Sequence, residues 1–172
     1  MVYVYPPHPP SCLTVASQEA LFPIRRIFCI GRNYEEHAQE MGVNPERSMP
    51  FFFQKSPDTV VAQHRLDDTV AIRYPPATAD LQHEAELVVA IGQGGRDIAP
   101  DNAVRHIFGY AIGLDMTRRD LQTVLKEKRW PWDMAKSFDD SAPIGILHPI
   151  AETGELMQGS ISLAVNGVSR QS

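Results

Sequence analysis

The chain has 172 residues, 43% hydrophobic and 22% charged, which are ordinary values for a single globular domain. Its formal net charge of -5, with no basic stripe, argues against nucleic acid as a partner. The two isolated cysteines fit a reducing compartment, and no apolar stretch has the length of a signal peptide or a membrane span. We therefore expect a cytoplasmic protein without a membrane partner.

The predicted elements are short. Residues 1–22 contain a Pro-rich stretch and are predicted to form an N-terminal arm and lead-in to a domain over residues 23–172. The patterns predict strands over 26–30, 51–53, 59–62, 70–72, 87–91, 108–114 and 161–165, and helices over 34–41 and 117–128. The fold class predicted from these elements is mainly β with short helices (α+β).

The helix predicted over 34–41 follows a glycine turn and carries a pair of interest. His37 and Glu40 are three residues apart and would be neighbours on its surface. A carboxylate beside an imidazole raises its basicity, as a general base that takes a proton from water requires. The alternative is a solvated polar helix face.

A pair of carboxylates, Glu84 and Glu86, precedes the most apolar run of the chain, residues 87–91, which is predicted to be a buried strand. Residues two apart on a strand share a face, so the two side chains would project together. Like charges beside a core cost on the order of several kcal/mol unless a cation or donors compensate them. The alternative is an edge strand whose start exposes both carboxylates to water.

A third carboxylate, Asp115, lies between a predicted strand and the following helix. It could cap that helix, but Thr117 and Asp120 have the spacing of a capping box and leave Asp115 available. Oxygen ligands without a nearby Cys or paired His suit a hard cation, Mg²⁺ or Mn²⁺, and suit Ca²⁺ less well. The sequence thus points to a divalent cation site.

Three more polar side chains are candidates for the same site. Arg119 and Gln122 are three apart on the helix and would share a face with Asp115 if the helix extended back to it; the alternative is an exposed helix face. Lys136 lies in a loop that contains tryptophan and proline, and its alternative role is to extend its ammonium to water.

The C-terminus carries a hairpin signal, Asn166-Gly167, with a predicted strand on each side. The chain stops where the second strand would begin to pair, and an unpaired edge invites association. We therefore expect the chain to be truncated, the front part of a longer protein.

Several stretches together resemble the fumarylacetoacetate hydrolase family, most closely its bacterial fumarylpyruvate hydrolase members. The matching stretches are residues 30–34 with His37 and Glu40, then 83–87, 113–122, 131–132, 136–139 and 141–143. The resemblance implies a mixed β-sandwich roll, usually a homodimer, with residues 23–172 as an incomplete catalytic domain. The family continues past this C-terminus to a Gly-Thr-Pro segment whose Thr helps to hold substrate.

The resemblance also implies roles for the candidate residues. They are the metal ligands Glu84, Glu86 and Asp115, the water-activating lid pair His37 and Glu40, the charge-stabilising Lys136, and the substrate contacts Arg119 and Gln122. The implied reaction is hydrolysis of a carbon–carbon bond in an acylpyruvate such as 3-fumarylpyruvate, a step of aromatic (gentisate) catabolism. Alternatives on the same site are oxaloacetate decarboxylation and 2-hydroxyhepta-2,4-diene-1,7-dioate isomerisation. An alternative of another class is a truncated, non-catalytic fragment.

Overall fold

The computed structural model describes residues 2–31 and 49–171. Within them, the strands are β1 (Cys12–Thr14), β2 (Leu21–Pro23), β3 (Ile27–Gly31), β4 (Phe51–Lys55), β5 (Val60–Ala62), β6 (Leu81–Gln82), β7 (Ala85–Ile91), β8 (Ile107–Leu114), β9 (Thr117–Arg118), β10 (Ala142–Ile144), β11 (His148–Pro149), β12 (Leu163–Val165) and β13 (Val168–Gln171). The helices are α1 (Arg119–Lys128), α2 (Asp133–Lys136) and α3 (Ile150–Thr153), with 3-10 turns at Pro57–Thr59 and Pro100–His106. The predicted class, mainly β with short helices, is confirmed.

The main sheet is built around β8. This strand pairs antiparallel with β7, β10 and β11, and β10 pairs in parallel with β5. Strand β8 is the longest of the described strands, and its glycines allow close approach: a Cβ on Gly109 would lie 2.2 Å from the carbonyl oxygen of His148. The β7–β8 pair brings the predicted carboxylates to one end of the sheet.

Smaller two-stranded sheets flank the main one: β1–β2, β3–β4, β6–β9 and β12–β13. The last is the predicted hairpin, in which Val165 pairs with Val168 and the turn residues Asn166 and Gly167 have φ values of 52° and 78°. Positive φ at both central residues is the geometry that an Asn-Gly turn provides. The hairpin prediction is confirmed.

The core lies between the main sheet and the N-terminal strands. Its buried members are Leu13, Val15, Ala90, Ala111, Ile144 and Leu147. Two of them, Leu13 and Val15, come from the segment predicted as a lead-in, so that segment packs with the sheet. The predicted division at residues 22 and 23 remains a prediction.

Three expectations about elements were wrong, and a fourth concerns residues that the structure does not describe. Residues 70–72 form no strand, and α1 begins at Arg119 rather than at Thr117. Strand β7 is not buried on both faces, because Val89 and Ile91 are 43% and 58% exposed. The helix predicted over 34–41 lies outside the described residues. No helix within the described ranges is long and apolar enough to span a membrane.

Candidate functional site

Glu84 and Asp115 meet at one end of the β7–β8 pair. Glu84 immediately precedes β7 and Asp115 immediately follows β8, and the Asp115 N–H donates to the Glu84 carbonyl oxygen at 2.8 Å. Because the two residues are opposite each other in an antiparallel ladder, their side chains leave on the same face. Asp115 is buried and Glu84 is half-buried.

The ammonium of Lys136 lies between these two carboxylates. Its Nζ donates to Glu84 Oε2 at 2.7 Å, to Asp115 Oδ2 at 2.7 Å and to Thr117 Oγ1 at 2.6 Å. An ammonium has three N–H donors, so each has an acceptor. Lys136 is the last residue of α2 and is only 2% exposed. The alternative in which it extends to water is therefore wrong.

A second buried lysine, Lys55, reaches the other side of Asp115. Its Nζ lies 2.9 Å from Asp115 Oδ1 and donates to the carbonyl oxygens of Met116, at 3.1 Å, and of Lys136. Burial lowers the pKa of the Lys55 ammonium, and the Asp115 charge opposes that shift. We did not predict Lys55, although alternation along β4 puts it on the same face as Phe51 and Phe53.

Arg119 and Gln122 share a face of α1, as predicted. Arg119 Nη1 donates to Gln122 Oε1 at 2.6 Å, its Nε donates to Gln82 Oε1 at 2.8 Å, and its Nη2 pairs with Glu84 Oε1. The helix does not extend back to Asp115, because residues 117 and 118 form β9 and pair with β6. Arg119 and Gln122 therefore do not share a helix face with Asp115, and Arg119 instead contacts the neighbouring carboxylate, Glu84.

The predicted capping box is wrong. Thr117 is fully buried in β9, where its hydroxyl accepts from Lys136 and donates to the Asp115 carbonyl oxygen at 3.2 Å. The Asp120 carboxylate instead accepts from the Thr78 hydroxyl at 2.6 Å and the Ala79 N–H at 2.9 Å. Thr117 thus belongs to the site, a role that its position in the sequence did not indicate.

The cations control the protonation of Glu84. Burial alone would raise the pKa of its carboxyl, but Lys136 and Arg119 together outweigh burial and lower that pKa to about 2. On β3, the thiol of Cys29 has its pKa raised to about 12, first by burial and then by the Asp115 charge, with a smaller contribution from Glu86. Cys29 pairs with Phe53 across the β3–β4 ladder, and it therefore lies on the face of that sheet that also carries Lys55.

The three predicted metal ligands are not assembled into a cation site. In residues 2–31 and 49–171, no three Asp, Glu, His or Cys side chains are placed so that they could hold a metal ion. Lys136 instead compensates the half-buried Glu84 and the buried Asp115, which removes the cost of leaving these carboxylates unpaired. The metal assignment of Glu84, Glu86 and Asp115 stays a prediction.

The chemistry of these donors nevertheless fits a hard divalent cation. All are carboxylate oxygens, and the buried Asp115 Oδ1 has Lys55 as an ion-pair partner but accepts no well-directed hydrogen bond. A divalent ion would compete with Lys136 for the same oxygen atoms of Glu84 and Asp115. His37 and Glu40 lie outside the described residues, so the water-activating pair also stays a prediction.

Comparisons of the sequence and of the structure with known proteins indicate the same protein family. Residues 26–172 match the family model described as fumarylacetoacetate (FAA) hydrolase C-terminal. A crystal structure of fumarylpyruvate hydrolase from Pseudomonas aeruginosa, in complex with Mn²⁺ and pyruvate, superimposes with a TM-score of 0.94 at 47% identity, covering 99% of this chain and 72% of that one.

Two curated relatives differ in their named activities. The fumarylpyruvate hydrolase of a Ralstonia species is 42% identical over 122 residues, which are 71% of this chain and 60% of the relative. The mitochondrial oxaloacetate decarboxylase of Dictyostelium discoideum is 37% identical over 147 residues, 86% of this chain and 65% of the relative. The chain thus spans less than two thirds of the length of these relatives.

Proposed function

Because the chain belongs to the fumarylacetoacetate hydrolase family, we propose that it is part of a metal-dependent hydrolase that cleaves a carbon–carbon bond in an acylpyruvate, with 3-fumarylpyruvate as the candidate substrate. One observation carries the proposal. The cluster of Glu84, Asp115, Lys136 and Arg119 occurs in a chain 47% identical to a fumarylpyruvate hydrolase crystallised with Mn²⁺ and pyruvate.

The charges of the cluster suit an anionic substrate. Lys55, Lys136 and Arg119 lie beside Glu84 and Asp115, and all five side chains are linked by contacts of 2.9 Å or less. Glu84, Glu86 and Asp115 would hold Mg²⁺ or Mn²⁺, which supplies Lewis acidity toward the oxygen atoms of a 2-keto acid. If a divalent ion took the oxygen atoms of Glu84 and Asp115 that Lys136 now contacts, the ammonium of Lys136 would be available to the substrate.

Side chains of the protein would orient the substrate, take a proton from water and stabilise the oxyanion. Arg119 and Gln122, already linked to each other, would orient the substrate carboxylate. The His37–Glu40 pair would take a proton from water, whose oxygen bonds to the distal carbonyl carbon, and Lys136 would donate a hydrogen bond to the resulting oxyanion. The carbon–carbon bond then breaks, its electron pair stays on the pyruvyl fragment, and a proton converts that fragment to pyruvate while the acyl group leaves as a carboxylic acid.

The second candidate is oxaloacetate decarboxylation, which the similarity to the Dictyostelium enzyme favours. It needs the same keto-acid end of the site but no base to activate water. We also propose that the complete protein acts as a homodimer, as the family resemblance implies. The diene-dioate isomerase alternative gains no support from the relatives described above.

An activity assay separates the two reactions. The purified chain is given 3-fumarylpyruvate or oxaloacetate, with Mn²⁺ or with a chelator. We expect metal-dependent loss of 3-fumarylpyruvate, and in the complete protein His37→Ala should lower that rate by roughly 10²–10⁴-fold, the usual share of a positioned general base. His8→Ala is the matched control, because His8 is exposed in the N-terminal stretch.

The same variant tests the role of the histidine. Decarboxylation of oxaloacetate should fall less than hydrolysis in His37→Ala, and its Mn²⁺ affinity should be unchanged. A parallel loss of metal binding would remove the base assignment and make His37 a ligand or a support. Turnover of oxaloacetate alone would replace the hydrolase proposal by the decarboxylase.

A further inference from the structure

Three aromatic side chains form one surface beside the charged cluster, here called the aromatic wall: Phe51, Phe53 and Trp132. The ring centroids of Phe51 and Trp132 are 4.8 Å apart, those of Phe53 and Trp132 5.8 Å, and those of Phe51 and Phe53 6.5 Å. These separations are in the range of interacting aromatic pairs. The three rings therefore pack as one apolar unit.

Strand geometry directs this wall. Side chains alternate along β4, so Phe51, Phe53 and Lys55 lie on the same face of the strand. Across the ladder, Gly31 pairs with Phe51, and a Cβ on Gly31 would come within 2.8 Å of a Phe51 ring carbon. The absence of a side chain at Gly31 lets the Phe51 ring lie over β3 and widens the wall.

The wall is continuous with the keto-acid end of the proposed site. Lys136 Nζ, which contacts Glu84 and Asp115, lies 5.1 Å from the centroid of the Phe53 ring. Trp132 immediately precedes α2, the helix that ends at Lys136. A molecule held at Lys136 would therefore extend along Phe53 toward Phe51 and Trp132.

The wall is also accessible. Phe51 is 44% exposed, and Phe53 and Trp132 are half-buried. A packed core would bury such rings, whereas an exposed apolar surface beside convergent charged groups is typical of a ligand site. The charged cluster would bind the carboxylate and keto groups of a ligand, and the aromatic wall offers a flat apolar surface to the rest of it.

We propose that the aromatic wall is the acyl-group subsite of this enzyme and selects 2-keto acids whose distal part is planar and conjugated or aromatic. The inference rests on the proposed function for the keto-acid end and adds the substrate class. Flat conjugated groups stack on aromatic rings, while oxaloacetate has no acyl group that could reach them. The wall would thus favour acylpyruvates over oxaloacetate.

Two non-hydrolysable probes test the subsite, 2-oxobutanoate and 2-oxo-4-phenylbutanoate, which differ by one phenyl group. Their dissociation constants for the chain with Mn²⁺ are measured by calorimetry. We expect the phenyl compound to bind about tenfold or more tightly, the scale on which an apolar pocket discriminates. Trp132→Leu should reduce this ratio to about threefold or less and leave 2-oxobutanoate affinity unchanged.

Matched variants exclude a general loss of structure. Trp130→Leu removes an exposed tryptophan two residues away and should keep the full ratio. If Trp132→Leu does not fold, Phe51→Leu, at a more exposed position, should reduce the ratio in its place. Equal affinity for the two probes, or a ratio that survives both substitutions, overturns the subsite. Failure of 2-oxobutanoate itself to bind overturns the proposed function instead.

Discussion

Lys55 connects three backbone segments through a single buried ammonium. It pairs with Asp115 and donates to the carbonyl oxygens of Met116 and Lys136, and it is only 3% exposed. Lys55→Met would leave a buried carboxylate oxygen and two carbonyl oxygens without this donor. Because breaking a buried ion pair from one side costs about 3–5 kcal/mol, we expect a loss of that order in the free energy of unfolding, measured by urea denaturation.

The matched control is Lys128→Met, which removes an exposed lysine at the end of α1. It should change the free energy of unfolding by less than about 0.5 kcal/mol. In Lys55→Met/Asp115→Asn, the second substitution should cost less than Asp115→Asn costs alone, because the two groups interact. Additive losses would mean that Lys55 and Asp115 act independently.

Glu84 makes the stability of the folded chain depend on pH in the acidic range. Its pKa is about 2 in the folded state, below the ordinary value of 4.5, because the stabilising effect of Lys136 and Arg119 exceeds the effect of burial. The resulting stability is present above the ordinary pKa and is lost as the pH falls from about 4.5 toward 2. We expect urea midpoints, measured in chelator, to fall over this range.

Glu84→Gln separates this contribution from those of the other carboxylates. At pH 7 the variant should be less stable than the parent chain, and the difference should shrink as the pH is lowered through 4.5. The same loss at pH 7 and pH 3 would show that Glu84 stabilises the fold through packing rather than through its charge.

At the level of elements, the packing of β8 against β11 depends on one glycine. A Cβ on Gly109 would lie 2.2 Å from the His148 carbonyl oxygen and 2.9 Å from the Pro149 Cα, both backbone atoms that cannot rotate away. Gly109→Ala should therefore separate the two strands and lower the thermal midpoint by more than about 5 °C. Gly94→Ala is the control, since a Cβ there would meet nothing within 4 Å; equal midpoints would contradict the close approach.

Local patterns predicted the elements that depend on local chemistry. The β8 strand and the Asn166-Gly167 hairpin were correct, because apolar composition and turn residues specify them within a few positions. The helix start was wrong because Thr117 is held in β9 by pairing with Gln82, 35 residues earlier in the chain. Long-range pairing overrides a local capping signal, and no window of sequence contains it.

The site residues also divide into those that local sequence patterns predicted and those that depend on long-range contacts. Strand spacing indicated Glu84 and Glu86, the position after a predicted strand indicated Asp115, and helical spacing indicated Arg119 and Gln122. Lys55 and Lys136 converge only after the chain folds, from positions 81 residues apart, so neither periodicity nor spacing could predict their contact. The resemblance identified Lys136, whereas Lys55 had no signal beyond alternation on its strand.

At the scale of the whole molecule, one face of the main sheet remains apolar and exposed. Leu87, Val89 and Ile91 on β7 are 36%, 43% and 58% exposed, and Ile112, which pairs with Leu87 on β8, is 52% exposed. Contiguous exposed apolar side chains on a sheet commonly mark a protein–protein interface. We propose that two copies of the chain associate through this face.

We therefore expect the chain to self-associate at micromolar concentration, with sedimentation velocity as the measurement. Burying a Val or Ile side chain contributes about 1.5–3 kcal/mol, so Val89→Lys/Ile112→Lys should weaken association by at least about tenfold. Val2→Lys/Val4→Lys places the same charges on two fully exposed valines of the N-terminal stretch and should leave association unchanged. A parent chain that sediments as a monomer, or equal weakening by both double variants, would assign this face no role in assembly.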